Sequence, residues 1–409
     1  MPDWIQTLGT ADLLQLRLMV EELCCDLCRF EHMAGGTAPE AVRIDREVFL
    51  GPDSFADVRV RAPGRAAYFV EVKLGYPSEI LVRHLRRKYN SETIAAAGVD
   101  RIVLVVDLLG RAQWPATLAQ LRSALGSSIQ LDVWDETALM TRIRECFGVQ
   151  VGGLTPPQLM EARMAIDHAK GQYAFGHPDG NYSHAPLNAQ LLWHFAYWKL
   201  RRLKEATGPD ARQILPPGLY RNVAVLLADM CSFSSYMRDT SDPALVRDSL
   251  TAFYSRARYQ IINNGGMLYQ FVGDEVIGLF GIPDSCEDCA SVALDTAHSL
   301  LSIGASVAKH WQRHLDRVQP SAGLHIGIAV GDLQIVSLRP FSRTHIGALG
   351  DCINLAARLM ALAGEGEIVA TTGVHRQLPE ADQQRFVRAD AVDLKNVGKI
   401  QAWRLPATA

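Results

Sequence analysis

Apolar residues recur at helical spacing over residues 11–34 (ADLLQLRLMVEELCCDLCRFEHMA), broken only by polar positions such as Arg17, Glu21, Glu22 and Asp26. That pattern predicts an amphipathic helix of a water-soluble domain. Short β-like runs follow (VRIDREVFL, ADVRVRA and AAYFVEVKL), then a basic helix-like stretch, EILVRHLRRKYNSETIAAAG. The apolar run in DRIVLVVDLL has the character of a buried strand, and a further helix (TLAQLRSAL) and strand (IQLDVWD) complete the alternation. Strands alternating with helices over residues 1–148 predict an α/β domain.

Residues 149–218 read differently. TPPQLMEARMAIDHAKGQ predicts a helix with proline in its first turn, GHPDGNYSHAPLN a loop rich in turn formers, and LNAQLLWHFAYWKLRRLKEA a second amphipathic helix, so the region reads as a helical connector. From residue 219 to 409 a new α/β pattern begins. VAVLLADMCSFSSYM opens with a buried strand ending at Asp229; a short turn follows, and then a helix from about Asp242. GGMLYQFVGDEVIGLFG (265–281) predicts a two-stranded hairpin with Gly273-Asp274 at its turn. There is no internal repeat and no low-complexity segment.

Composition narrows the function classes. Lys plus Arg is 41 and Asp plus Glu is 44, for a formal charge of −3, which argues against a basic nucleic-acid coat and against an acidic disordered tail. No run of about 18 uncharged apolar residues predicts a membrane span, and the acidic start MPDWIQTLGTAD is unlike a secretory signal, so a cytoplasmic protein is expected. Eight cysteines then read as reduced thiols. Cys25/Cys28 and Cys286/Cys289 have the spacing of zinc ligands, but both pairs fall in helix-like sequence far apart in the chain, and buried thiols are the preferred reading.

The chemistry concentrates after residue 219. If the strand ending in Asp229 neighbours the hairpin, Asp229 and Asp274 lie side by side, where each alone would read as a turn-forming aspartate. Paired carboxylates near a backbone carbonyl suit hard divalent cations, and two such ions can clamp a phosphoryl transfer.

At these residues the chain resembles the class III nucleotidyl cyclases. Asp229-Met230-Cys231-Ser232-Phe233-Ser234 is similar to the family's "DIxGFT" element, and Phe271-Val272-Gly273-Asp274 to its second metal motif. Gly350–Leu359 (GDCINLAARL) resembles its "GxxVNxAxRL" helix, and Val392–Gly398 (VDLKNVG) its "LKG" strand, all in family order over about 190 residues. The resemblance implies a ferredoxin-like βαββαβ core and cyclisation of a nucleoside triphosphate with release of pyrophosphate. It implies Asp229, Asp274 and the Met230 carbonyl as ligands of two Mn²⁺ or Mg²⁺ ions per site. Backbone N–H groups of Cys231, Ser232, Phe233 and Ser234 would cradle phosphates, with Lys395 and Arg339 assisting. Asn354 would orient the ribose and Arg358 would stabilise charge growing on the α-phosphate. It also implies a homodimer with two interfacial sites, Asp229 and Asp274 from one subunit and Asn354, Arg358 and Lys395 from the other.

The base-reading positions depart from the common pattern. Gln270 stands where adenylate cyclases of the family have Lys, and Gly347 where they have Asp or Thr; the guanylate-cyclase residues are absent too. That departure resembles the pyrimidine cyclases of the bacterial Pycsar anti-phage systems, which implies cyclic UMP or cyclic CMP as a messenger for a separate effector. The Gln270 amide can serve uracil, cytosine or adenine; overall likeness favours UTP, with CTP next and an adenylate cyclase of unusual pocket after it. Tyr269 would narrow the pocket, although strand alternation directs it away from Gln270.

In the N-terminal domain, Asp57 on one strand and Glu71-Val72-Lys73 on the next resemble the core of PD-(D/E)xK nucleases, and Arg83, Arg86, Arg87 and Lys88 follow on a helix that could face phosphates. A regulatory domain that senses infection is the preferred reading of residues 1–148, ahead of a nuclease or nucleic-acid sensor; the plain alternative takes ExK as a common tripeptide beside a solvated basic face.

Overall fold

The computed structural model describes residues 5, 9–51, 54–89, 91–107, 113–126, 129–176, 186–208, 213–315, 317–338, 345–389, 392–394 and 398–407. The chain forms two compact units, residues 1–170 and 171–409.

The first unit opens with α1 (Thr10–Ala34), whose buried face carries Leu16, Val20, Leu23, Leu27 and the thiols Cys24, Cys25 and Cys28. Burial pushes these thiols up, Cys28 to about 12, as expected of inert core cysteines. After α1 come β1 (Arg43–Gly51), β2 (Ser54–Arg61), β3 (Ala67–Val72), α2 (Ser78–Lys88), α3 (Ser91–Ala97), β4 (Val99–Val105), α4 (Trp114–Leu125), β5 (Gln130–Trp134) and α5 (Glu136–Phe147). The sheet runs β1-β2-β3-β4-β5, with β1 to β3 antiparallel and β3 to β5 parallel. Phe69, Ile102 and Leu104 from the sheet pack with Leu81, Leu85 and Tyr89 beside α2 and Leu121 of α4. The basic stretch expected as one helix is two, α2 and α3, separated at Tyr89. Asp135 caps α5 by accepting from the Ala138 N–H, and left-handed Gly148 ends it. Helix α6 (Pro156–Phe175) follows.

The second unit contains α7 (Pro186–His194), α8 (Tyr197–Thr207), β6 (Gly218–Met230), α9 (Phe233–Asp239), α10 (Pro243–Asn263), β7 (Met267–Val272), β8 (Glu275–Phe280), α11 (Cys289–Gln312), β9 (Leu324–Leu338), β10 (His345–Leu349) and α12 (Asp351–Met360). It closes with β11 (Ile368–Thr371), α13 (Thr372–Gln377), α14 (Glu380–Gln383), β12 (Val387–Arg388), β13 (Val392–Leu394), β14 (Gly398–Ile400) and β15 (Ala402–Leu405). Residues 187–206, expected as one helix, break between α7 and α8. Phe195, Ala196, Tyr197 and Trp198 are all buried, and four consecutive side chains cannot share one side of a straight helix. The turn expected after β6 holds the short helix α9, and Pro186–Asn188 belongs to α7 rather than to the loop.

Four strands form the centre in the order β9-β6-β8-β7, all antiparallel; with α10 and α11 as the connections, this is the expected ferredoxin-like βαββαβ core. Two glycines show which helix covers which face. A methyl at Gly304 of α11 would meet the Leu324 side chain at 2.2 Å, whereas one at Gly327 would meet the Ala356 carbonyl of α12 at 2.1 Å. Side chains at positions 324 and 327 of one strand point to opposite faces, so α11 and α12 lie on opposite faces of the sheet.

Candidate active site

Asp229 is the penultimate residue of β6, at the end of the apolar run Val223–Ala228 that crosses the core. The β7–β8 hairpin turns at Gly273 and Asp274, where Gly273 has φ +62°. Tyr254 of α10 secures the turn: its hydroxyl donates to the Gly273 carbonyl, and its ring stacks on Phe271 at 4.2 Å. Because β8 pairs with β6, the turn delivers Asp274 to Asp229. Burial and then the neighbouring Asp229 push the Asp274 carboxyl up to about 7. Glu275 is also raised, by burial and then by Asp229. Asp274 and Glu275 thus crowd beside Asp229 at one end of the sheet, and this set of carboxylate oxygens fits a divalent cation.

The sequence pattern did not single out His325. It sits opposite Asp229 on β9, with Nε2 3.2 Å from Asp229 Oδ2. Hydrogen bonds to Asp229 and then Cys231 hold the imidazole in its charged form, up to about 10. Only the β6–β9 register reveals this pair. By alternation both side chains share the α12 face of the sheet.

The expected phosphate loop is only partly free. The Cys231 N–H donates to the Gly323 carbonyl at 3.0 Å and is taken up by the fold. Ser232 adopts the left-handed conformation (φ 59°), its hydroxyl lies 2.8 Å from that of Ser321, and its carbonyl accepts from Ser235 and Tyr236. Phe233 and Ser234 occupy the first turn of α9, where helix geometry offers their N–H groups no partner four residues back.

Asn354 and Arg358 are one turn apart on α12. The helix buries Cys352, Ala356, Leu359 and Met360 against the sheet and presents Asn354, exposed, and Arg358, half-buried, on its other side. Lys395 and Arg339 lie outside the described residues.

Gln270 is on β7, and Gly347 is on β10 opposite Val336. The β7–β8 register shifts between Leu268 and Gln270, a bulge at Tyr269, and strict alternation fails there. The Tyr269 hydroxyl accepts from the Ala348 N–H at 3.1 Å, so Tyr269 reaches the strand that carries Gly347.

In the first unit, Asp57, Glu71 and Lys73 do converge. Lys73 Nζ lies 2.5 Å from Asp57 and 2.7 Å from Glu71. Burial pushes the Asp57 carboxyl up, but Lys73 and Lys88 outweigh that effect and hold it well below the usual carboxylate range. Lys88 of α2, read in the sequence with the phosphate-facing arginines, points inward instead and contacts both Glu71 oxygens at 2.6 and 2.7 Å. Helix periodicity explains the inversion: Lys88 shares the buried face of Leu81 and Leu85.

Residues 215–407 match the family model described as the adenylate and guanylate cyclase catalytic domain. A germination-specific adenylate cyclase of Dictyostelium discoideum is 22% identical over 184 residues, covering 45% of this chain and 21% of that protein. An uncharacterized protein of Mycobacterium tuberculosis is 25% identical over 181 residues, 44% of this chain and 30% of that protein. The chain thus spans less than a third of the length of these two relatives. Among solved structures, the guanylyl cyclase Cya2 is similar at 22% identity and TM-score 0.42 (47% of this chain, 96% of that one). The adenylyl cyclase CyaB from P. aeruginosa is similar at 18% identity and TM-score 0.42 (48% and 98%).

Proposed function

Starting from a nucleotide cyclase catalytic domain over residues 215–407, we propose that this protein converts UTP to 3′,5′-cyclic UMP and pyrophosphate and supplies that product as a messenger to a separate effector in anti-phage defence. The observation that carries the cyclase reading is the β6–β8 pairing, which brings the Asp274 turn to the end of β6 that holds Asp229. Asp229, Asp274 and the Met230 carbonyl would hold two Mn²⁺ or Mg²⁺ ions, which when bound supply Lewis-acid activation of the 3′-hydroxyl and neutralise the triphosphate. His325 holds Asp229 in place from the neighbouring strand. The N–H groups of Phe233 and Ser234, in the first turn of α9, would bind phosphate oxygens. Asn354 orients the ribose, and Arg358 stabilises the charge that develops on the α-phosphate; Lys395 and Arg339 add charge to the triphosphate side.

Asn354 and Arg358 stand on the side of α12 turned away from the sheet, whereas Asp229 lies on the sheet itself. That separation supports a homodimer in which each site takes its carboxylates from one subunit and Asn354 and Arg358 from the other. Residues 149–218 serve as a connector in this reading. Pyrimidine choice rests on Gln270 and Gly347, which leave a purine edge without its usual charged reader, and on Tyr269, which reaches β10 beside Gly347. CTP is the second reading, since the Gln270 amide can turn to match cytosine.

Asp229→Ala and Asp274→Ala are each expected to abolish cyclisation while the dimer persists in size-exclusion chromatography. Turnover retained in either variant would overturn the metal assignment.

A further inference from the structure

Helix α2 presents two chemically different faces. Inward, the Lys88 ammonium lies 2.6 and 2.7 Å from the two Glu71 oxygens and 3.8 Å from Asp57 Oδ1. Glu71 Oε1 also accepts from the Tyr89 hydroxyl and from the Asp57 N–H, and Asp57 Oδ2 accepts from Lys73 and from the Val72 N–H. Two carboxylates and two ammoniums cancel. Glu71 is fully buried, and a metal ion entering between Asp57 and Glu71 would strand a buried ammonium.

Outward, Arg83, Arg86 and Arg87 line an open groove of about 590 Å³, together with Val82 and with Gln120 of α4. The three arginines are exposed, and among the described residues none has an ion-pair partner. Spacings of three and four residues place them on one ridge, and guanidinium forks match phosphate oxygens in geometry and charge. Glu79, the one acidic residue lining the groove, opposes them. Val82 is the only apolar lining residue, so the groove offers no pocket for the side-chain anchors a peptide partner would bring. A repeating line of phosphates needs none.

We propose that this groove binds the phosphate backbone of a double-stranded nucleic acid through Arg83, Arg86 and Arg87, and that the domain holds the strand without cutting it. The proposal is independent of the C-terminal site. The full-length chain carries Asp229→Ala and Asp274→Ala, which remove the proposed metal ligands of that site, and the probe is a fluorescent DNA duplex of about 20 base pairs followed by anisotropy. Three neutralised phosphates correspond to a salt slope of about −2.7, that is, roughly 40-fold weaker binding at 200 mM than at 50 mM salt. The further change Arg83→Gln, Arg86→Gln and Arg87→Gln, all at exposed positions, should cost at least about tenfold at 50 mM salt and remove most of that slope. Glu79→Gln should tighten binding. With Mn²⁺ added, the duplex should stay intact.

Absence of duplex binding at 100 μM protein would overturn the proposal. So would an unchanged affinity and slope in the triple-arginine variant at unchanged melting temperature, or displacement of the duplex by polyglutamate as readily as by unlabelled DNA. Duplex cleavage that disappears in Asp57→Ala would overturn the non-cutting half.

Discussion

Burial and the neighbouring Asp229 push the Asp274 carboxyl up to about 7, from 3.8 for an unperturbed aspartate. At this carboxyl the folded chain therefore holds its proton over a range where the unfolded chain has lost it. Stability from this group is complete below the unfolded value and is lost as pH rises through 7. In EDTA, the melting temperature of the wild type should fall between pH 5 and pH 8 more steeply than that of Asp274→Asn, whose amide cannot ionise. Mn²⁺ should recover the wild-type loss at pH 8 and leave Asp274→Asn nearly unmoved. Parallel pH profiles for the two proteins would contradict the carboxylate contact.

At the scale of elements, the proposed site depends on two strands meeting at one end and on a helix that faces elsewhere. Asp229 and Asp274 are delivered by β6 and the β7–β8 turn, whereas Asn354 and Arg358 ride on the side of α12 opposite its buried stripe. Mixing Asp229→Ala with Arg358→Ala, each inactive alone, should regenerate activity by subunit exchange. Half of the dimers would be mixed, with one intact site each, so recovery should approach about a quarter of wild type. No recovery despite demonstrated exchange would place the whole site within one chain.

The strands and the turn could be read from the sequence because their signals are local: an apolar run ending in Asp229, a Gly-Asp turn between alternating segments, and polar residues one turn apart on a helix. Other features could not. His325 meets Asp229 only through the β6–β9 register, Lys88 meets Glu71 only through tertiary packing of α2, and the Tyr269 bulge breaks the alternation that directed its side chain away from Gln270. The α7–α8 break belongs with these. Lys199 of α8 is buried, donates to the carbonyls of Gly265 and Ile282 and pairs with Asp284, partners 66 to 85 residues distant that no local window contains.

For the whole molecule, a formal charge of −3 fits both proposed ligands. A triphosphate clamped by metals and a few placed cations needs no basic protein, and a nucleic-acid groove of three arginines is a local patch on a neutral surface. Among the described residues no helix is long and apolar enough to cross a membrane. The central claim of the proposed function is that the protein cyclises UTP. The most direct test incubates the purified full-length protein with equal ATP, GTP, CTP and UTP plus Mn²⁺ and quantifies the cyclic products by mass spectrometry. Cyclic UMP should dominate and should vanish in Asp229→Ala. Cyclic CMP as the main product would transfer the assignment to CTP, and cyclic AMP or cyclic GMP as the main product would contradict the pyrimidine reading.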